Sequence, residues 1–142
     1  MLFRSLKNRK SPFHYKSFER TGDCLHIDYK GGVQWAGIWF PAGSYEGSEP
    51  RDYAGFEKLV LELKGDAGGE TIHVNIEDRD DPLDGTSTRV PLTLTDQWKT
   101  FEIDLAEFKT ADLMILTVPL GFVFFEEPVA FSVRSVQYVR PE

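Results

Sequence analysis

The 142-residue chain has a single cysteine, Cys24, and no hydrophobic run that approaches the length of a membrane span. One cysteine excludes a disulfide framework within the chain and a zinc site built from several thiolates. A membrane-spanning helix needs about 20 consecutive apolar residues, so no span is predicted. Basic residues are also few, with 16 Lys and Arg against 23 Asp and Glu. Because nucleic-acid affinity rests largely on basic side chains that meet phosphates, we predict no nucleic-acid partner.

Signatures of catalysis are equally scarce. The three histidines lie far apart and show no metal-ligand spacing. The glycine-rich residues 65–69 join two predicted strands rather than a strand and a helix, which excludes a phosphate-binding loop. A glycosidase would need two carboxylates about 5–10 Å apart across a cleft, and only Glu77 with an acid on a neighbouring strand stays open. We predict that the chain is not an enzyme; the alternative is a small barrel enzyme with a metal or an enclosed acid pair.

Charge divides the chain into two regions. Residues 1–20 contain six basic residues and one acidic residue, whereas the whole chain carries a net charge of −7. No apolar stretch follows the basic start, so it does not match a secretory signal. The localisation is therefore left unknown, and without a signal peptide the sequence as it stands predicts a cytoplasmic protein. We predict a basic, partly flexible N-terminal arm over residues 1–20 and a single β-sandwich domain over residues 21–142.

Short strands account for the rest of the chain. Residues 24–29, 56–63 and 71–79 alternate apolar and polar side chains, which is the period of a half-buried strand. Glycine and proline separate such segments, and Pro119 divides the apolar residues 113–125 into two. No segment shows helical periodicity over ten or more residues. Many short strands at a spacing of roughly 8–12 residues predict an all-β sandwich of two antiparallel sheets, each with one buried and one solvated face.

Four stretches of the sequence resemble a known family. Residues 59–76, LVLELKGDAGGETIHVNI, resemble the strand, glycine-rich turn and strand of jelly-roll carbohydrate-binding modules with the galactose-binding-like fold. Residues 23–29 and 35–40 resemble the opening hairpin of these modules. Residues 92–105 resemble the segment in which a tryptophan precedes a strand, and residues 129–138 resemble the final strand. The resemblance implies a jelly-roll sandwich that binds glycans on a concave sheet face or at loop tips, often with one structural calcium ion.

A row of polar residues is the first candidate for binding. If Ile72, Val74 and Ile76 fill the core, the residues between them lie on the opposite face, because successive strand side chains alternate. This row consists of His73, Asn75, Glu77 and Arg79. Its planar polar groups suit the hydroxyl rim of a sugar, since an unpaired hydroxyl costs about 1–3 kcal/mol. The alternative is a solvated face with nothing bound, because exposed strands alternate in the same way.

Two tryptophans four residues apart are the second candidate. Trp35 and Trp39 share one face of a predicted strand, with Gly37 between them, while Ala36 and Ile38 lie on the other face. We predict that both indoles face outward and stack on the apolar face of a sugar ring, with a cleft above Gly37. Burial as core anchors is the alternative for such bulky rings.

A loop rich in carboxylates is the third candidate. Oxygen clusters in loops suit Ca²⁺, which takes about 6–8 oxygen ligands, although the spacing is not that of an EF-hand. The weak candidate ligands are Asp78, Asp80, Asp81 and Asp84. A plain solvated turn is the alternative, so structural calcium is an optional cofactor and no cofactor is required.

Together these features predict a non-catalytic carbohydrate-binding module. It recognises an oligo- or polysaccharide by aromatic stacking and by polar side chains on one sheet face. The alternative is a protein-interaction or assembly β-sandwich, with a protein partner or a homodimer using the same exposed aromatic surface. Both interpretations depend on indoles that lie on an open face.

Overall fold

A computed structural model describes residues 2–5, 18–42, 49–81 and 87–142, with the backbone alone for residues 2–5 and 18–21. These residues form two five-stranded antiparallel sheets. Sheet A contains, in spatial order, β1 (Leu2–Ser5), β4 (Ala36–Phe40), β9 (Leu116–Phe124), β6 (Thr71–Asp78) and β7 (Arg89–Thr93). Sheet B contains β2 (Phe18–Thr21), β3 (Cys24–Tyr29), β10 (Val129–Val139), β5 (Lys58–Gly65) and β8 (Lys99–Asp104). The predicted all-β sandwich is confirmed.

Helical structure in the described residues is limited to two 3₁₀ turns, Leu105–Glu107 and Leu113–Ile115. The second turn is capped by Asp112, whose Oδ1 accepts a hydrogen bond of 3.0 Å from the N–H of Met114. None of the helical segments in this part of the chain has the length and apolar character needed to cross a membrane.

The hydrophobic core lies between the two sheets and is built from alternate residues of each strand. Ile72, Val74 and Ile76 of β6 are buried in it, as their spacing predicted. Phe122 of β9 and Phe131 of β10 meet across the sandwich edge to face, with ring centroids 5.2 Å apart. Each such side chain contributes about 1.5–3 kcal/mol when it is fully buried. The same alternation turns the remaining side chains of sheet A away from sheet B.

Strand β1 and residues 18–20 of β2 lie within the range that was predicted to be a flexible arm. β1 pairs with β4 at one edge of sheet A, and β2 pairs with β3 at one edge of sheet B. The sandwich therefore begins before residue 21. Residues 1 and 6–17, the rest of the predicted arm, lie outside the described residues.

Strand β9 runs unbroken through Pro119, where the sequence predicted a break. Asn75 of β6 pairs with Gly121 and Glu77 pairs with Val118, so two steps on β6 correspond to three on β9. Proline has no N–H to donate to the ladder and is tolerated at such a bulge. The bulge therefore explains how one continuous strand can contain this residue.

Two tyrosine hydroxyls connect sheet B to β9. Tyr29 donates a hydrogen bond to the carbonyl oxygen of Phe125, and Tyr138 donates one of 2.5 Å to the carbonyl oxygen of Pro119. Burial raises the pKa of both hydroxyls above the ordinary tyrosine value. These bonds join sheet B to β9 near its middle and just beyond its C-terminal end, on either side of Gly121 and Val123.

Candidate functional site

The face of sheet A that is turned away from sheet B, called the outer face below, holds most of the predicted site residues. Trp39 of β4 pairs with Gly121 of β9, Gly121 with Asn75 of β6, and Asn75 with Arg89 of β7. Directly paired residues share a face, so these four form one row across the sheet. The adjacent row contains Gly37, Val123, His73 and Pro91.

The two predicted tryptophans lie on the outer face but are not exposed. Trp35 has 5% and Trp39 0% of its surface accessible. They pack with Val118 and Val123 in a hydrophobic cluster separate from the main core, and half-buried Phe125 packs against it. Their ring centroids are 5.6 Å apart and the rings are tilted. The direction of the indoles was predicted correctly, but the prediction of an exposed stacking platform is wrong, because such large rings gain more from burial in this second cluster than from exposure.

The protein-interaction alternative assumed the same exposed aromatic surface. Burial of both indoles removes that basis. The exposed large hydrophobic side chains of the described residues are Met114, Val136 and Val139, and none of them is aromatic.

The predicted cleft above Gly37 is filled by an indole. A Cβ atom added at Gly37 would lie 2.7 Å from Cη2 of Trp39, and one added at Gly121 would lie 3.0 Å from Cδ1 of the same ring. The Gly121 Cβ would come closer still to Oδ1 of Asn75. The indole of Trp39 thus lies across two glycines on neighbouring strands, and both positions need a residue without a side chain.

The structure brings together three residues of the predicted polar row. His73 is half-buried, and Asn75 and Glu77 are fully buried on the outer face. Arg79 does not join them, since β6 ends at Asp78 and the side chain of Arg79 is 61% exposed, with Nε 3.7 Å from Oδ1 of Asp80. The prediction that Arg79 extends the row is therefore wrong, because β6 ends before it and the register shifts near its end interrupt the alternation on which the prediction relied.

The buried polar residues form a hydrogen-bonded triangle. Nδ2 of Asn75 donates to Oγ of Ser87 at 2.9 Å and to Oε1 of Glu77 at 3.2 Å. Oγ of Ser87 donates to the same Glu77 oxygen at 3.2 Å. Both interactions use the amide nitrogen of Asn75, so they determine which way its side-chain oxygen points.

Three buried polar atoms of the outer face have no hydrogen-bond partner among the described residues. They are Nε1 of Trp35, Nε1 of Trp39 and Oδ1 of Asn75. A buried group left unpaired costs about 1–3 kcal/mol, and native proteins contain only a few such groups. All three lie on one face, where a molecule with donors and acceptors would recover part of that free energy if it reached them.

The accessible part of the outer face is centred on Phe125. The ring of His73 contacts it edge to face at a centroid distance of 5.1 Å, and Cζ of Arg89 lies 5.0 Å from the Phe125 centroid. Burial and, to a smaller degree, the charge of Arg89 lower the pKa of His73 below its ordinary value of 6.5. A cavity of about 290 Å³ adjoins this cluster and is lined in part by Glu70 and Thr71.

Two carboxylates of the predicted calcium loop, those of Asp78 and Asp81, accept hydrogen bonds from backbone amides. Oδ1 and Oδ2 of Asp78 accept hydrogen bonds of 2.8 Å from the N–H groups of Asp80 and Asp112, and Oδ2 of Asp81 accepts one of 2.8 Å from the N–H of Asp78. Asp84 lies outside the described residues. Within the described ranges no group of three or more His, Cys, Asp or Glu side chains could hold a metal ion. These carboxylates stabilise the loop, and calcium binding stays a prediction.

Three residues of the site were missed by the sequence analysis. Arg89 begins an alternating strand, and Phe125 continues the spacing of Gly121 and Val123 on β9, so strand alternation contained a signal for both. Ser87 precedes its strand, and no sequence pattern marks it as a partner of Asn75.

Comparison with solved structures identifies the fold. A family 11 carbohydrate-binding module from Clostridium thermocellum, in complex with a β-1,3-1,4-mixed-linked tetrasaccharide, has a TM-score of 0.67 at 17% identity, covering 85% of this chain and 78% of that chain. The family 30 module of a cellulosomal cellulase of Clostridium thermocellum has a TM-score of 0.64 at 17% identity, covering 89% and 87%. The predicted jelly-roll, galactose-binding-like sandwich is confirmed.

The family follows from the sequence match. No curated protein matches the chain, but the family model of carbohydrate binding domain 30 matches residues 7–140. This match covers nearly all of the described residues, and it confirms the predicted resemblance to carbohydrate-binding modules. The chain therefore belongs to the carbohydrate binding domain 30 family, whose members are non-catalytic carbohydrate-binding domains.

Proposed function

We propose that the outer face of sheet A is the glycan-binding surface of this domain and that the ligand enters at the cluster of Phe125, His73 and Arg89. The observation that carries the proposal is the convergence of this accessible cluster with three buried, unpartnered polar atoms on one sheet face. A sugar has both an apolar face of C–H bonds and a rim of hydroxyls. The outer face contains groups that suit each of them.

The accessible cluster supplies complementary chemistry. Phe125 offers apolar ring surface at the edge of the tryptophan cluster. His73 has a lowered pKa and is therefore mainly neutral at pH 7, so one ring nitrogen donates a hydrogen bond while the other accepts one. Arg89 contributes guanidinium donors beside the same ring. Donors and acceptors within reach of one aromatic ring favour a neutral, hydroxyl-rich ligand.

The buried tryptophans have a different role from the one their spacing suggested. Trp35 and Trp39 form the floor of the outer face beneath the accessible cluster. A ligand that covers this floor excludes water from the polar groups beside it, and hydrogen bonds are stronger where water is excluded.

The proposal is tested by isothermal titration calorimetry with neutral oligosaccharides. The first probe is the β-1,3-1,4-mixed-linked tetrasaccharide bound by the family 11 module, followed by cello-, xylo- and chito-oligosaccharides. Because one small face buries few ligand atoms, we expect dissociation constants on the order of millimolar to micromolar.

Two substitutions assign the binding to this face. We expect His73→Ala and Arg89→Ala to weaken binding about five- to tenfold each, since each removes hydrogen-bonding groups. Gln137→Ala is the matched control, because Gln137 is an exposed polar residue on β10 of the other sheet. Equal affinity in all four proteins would place the glycan elsewhere, and absence of binding to every probe would contradict the proposed function.

A further inference from the structure

We propose that Nε1 of Trp39 and Oδ1 of Asn75 together bind one hydroxyl group of the glycan, in a notch above Gly121. This assignment rests on the proposed function and goes beyond it, because it names the chemical group that is recognised and the two atoms that recognise it. The notch is defined by Trp39, Asn75 and Gly121, which belong to three adjacent strands and form one row.

Glycine at position 121 allows both partners to approach the same point. A Cβ atom there would lie 3.0 Å from Cδ1 of Trp39, the carbon bonded to Nε1, and would collide with Oδ1 of Asn75. The Asn75 acceptor and the edge of the indole that carries Nε1 therefore both lie beside the glycine. Neither atom has a hydrogen-bond partner among the described residues, so they are not bonded to each other.

The orientation of Asn75 is determined by its neighbours. Its Nδ2 donates to Ser87 and to Glu77 at 2.9 and 3.2 Å. Turning the amide over would place Oδ1 against the Glu77 oxygen, and two acceptors cannot satisfy each other. The amide therefore presents its acceptor to the notch. Ser87 acts as a positioning residue, since it acts through Asn75.

A hydroxyl is the group that matches this pair. Its oxygen accepts from Trp39 Nε1–H while its hydrogen is donated to Asn75 Oδ1, so one group satisfies both atoms. An ether oxygen or a C–H group satisfies at most one. Trp39 and Asn75 are both 0% exposed, so the hydroxyl reaches the notch only if the side chains above it move aside. A site that leaves buried polar groups unpaired rejects the analogue lacking the hydroxyl strongly.

A mutant-by-ligand cycle tests the assignment. Trp39→Phe keeps an aromatic ring and removes Nε1, and calorimetry compares it with the unchanged protein against the mixed-linked tetrasaccharide and its monodeoxy derivatives. We expect the substitution to weaken binding of the parent tetrasaccharide about tenfold, and to have no effect on the one derivative that lacks the recognised hydroxyl. Trp98→Phe, which removes an indole on the sheet B side, is the control and should leave all affinities unchanged.

Two alanine variants separate the notch from general packing. Gly121→Ala and Gly37→Ala both crowd the indole of Trp39, but only the first places a methyl group in the notch. When both variants are folded, we expect Gly121→Ala to lose more affinity than Gly37→Ala. In ¹H–¹⁵N spectra of the unchanged protein, the Trp39 indole signal should shift on saturation while the Trp98 signal does not.

The outcomes distinguish this assignment from the proposed function. Binding without coupling between Trp39→Phe and any deoxy position, or equal losses in the two alanine variants, overturns the hydroxyl assignment and leaves the glycan surface intact. Absence of binding by the unchanged protein to every oligosaccharide probe overturns both.

Discussion

At the scale of single residues, the outer face shows that direction and exposure are separate properties. Strand alternation predicts which way a side chain points, and it did so for Trp35, Trp39, His73 and Asn75. It does not predict what covers that face. The indoles satisfied the alternation and were nevertheless buried, with their nitrogen atoms unpaired.

His73 links the stability of the domain to pH. Its pKa in the folded protein is lowered from 6.5 by burial and by Arg89, so the unfolded chain binds more protons as the pH falls through this range. The contribution of His73 is therefore fully present above pH 6.5 and is lost as the pH falls from there through the lower folded value. The loss is small, because the ring is only half-buried and solvent screens its charge.

Thermal unfolding between pH 7.5 and 5 tests this prediction. We expect His73→Gln to lose less stability over that range than the unchanged protein, since glutamine does not titrate. Parallel profiles for the two proteins would show that protonation of His73 is not coupled to folding.

At the scale of elements, strand β9 connects the fold to the site. It carries Gly121 and Val123 on the outer face and Phe122 in the core, and Pro119 lies at its bulge. The sequence predicted most strands and their buried faces from local alternation. It could not predict that Pro119 lies inside a strand. This depends on the bulge in the pairing with β6, where two residue steps on β6 face three on β9.

The hydroxyl of Tyr138 should stabilise the packing of β9 in sheet A against β10 in sheet B. Tyr138→Phe removes its hydrogen bond to the carbonyl oxygen of Pro119, and we expect a loss of about 1 kcal/mol in the free energy of unfolding, measured with urea. Tyr53→Phe is the matched control, because the ring of Tyr53 lies 4.7 Å from that of Tyr138 but its hydroxyl has no hydrogen bond to a described residue. Equal stability of the Tyr138 variant and the unchanged protein would contradict this role.

The ionisation of the Tyr138 hydroxyl can be followed directly at alkaline pH. Its pKa is raised above 10.0 by burial, so its contribution is present below pH 10 and is lost as the pH rises towards the folded value. Because burial also raises the pKa of Tyr29, absorbance titration should show fewer tyrosines ionising near pH 10 in the folded protein than after unfolding, and the Tyr138→Phe variant should reduce this difference by one tyrosine.

At the scale of the whole molecule, the carboxylates of the loop after β6 could stabilise the fold in two ways, by accepting backbone hydrogen bonds or by binding a metal ion. Asp78 and Asp81 accept three hydrogen bonds from backbone N–H groups, which holds the loop without a cation. We expect the melting temperature to change by less than about 2 °C between excess calcium and excess EDTA, which corresponds to less than ~1 kcal/mol. A rise of several degrees with calcium would show that a cation contributes to the fold.

The sequence by itself determined the all-β class, the family resemblance, the buried faces of the strands and the location of a polar row beside two tryptophans. These properties depend on short-range alternation and on motifs that are read along the chain. Only the tertiary structure decided that the indoles are buried, that Ser87 and Glu77 orient Asn75, and that Phe125 and Arg89 form the accessible cluster. These relations join residues on different strands, and the register that brings them together is set by packing of the whole sandwich.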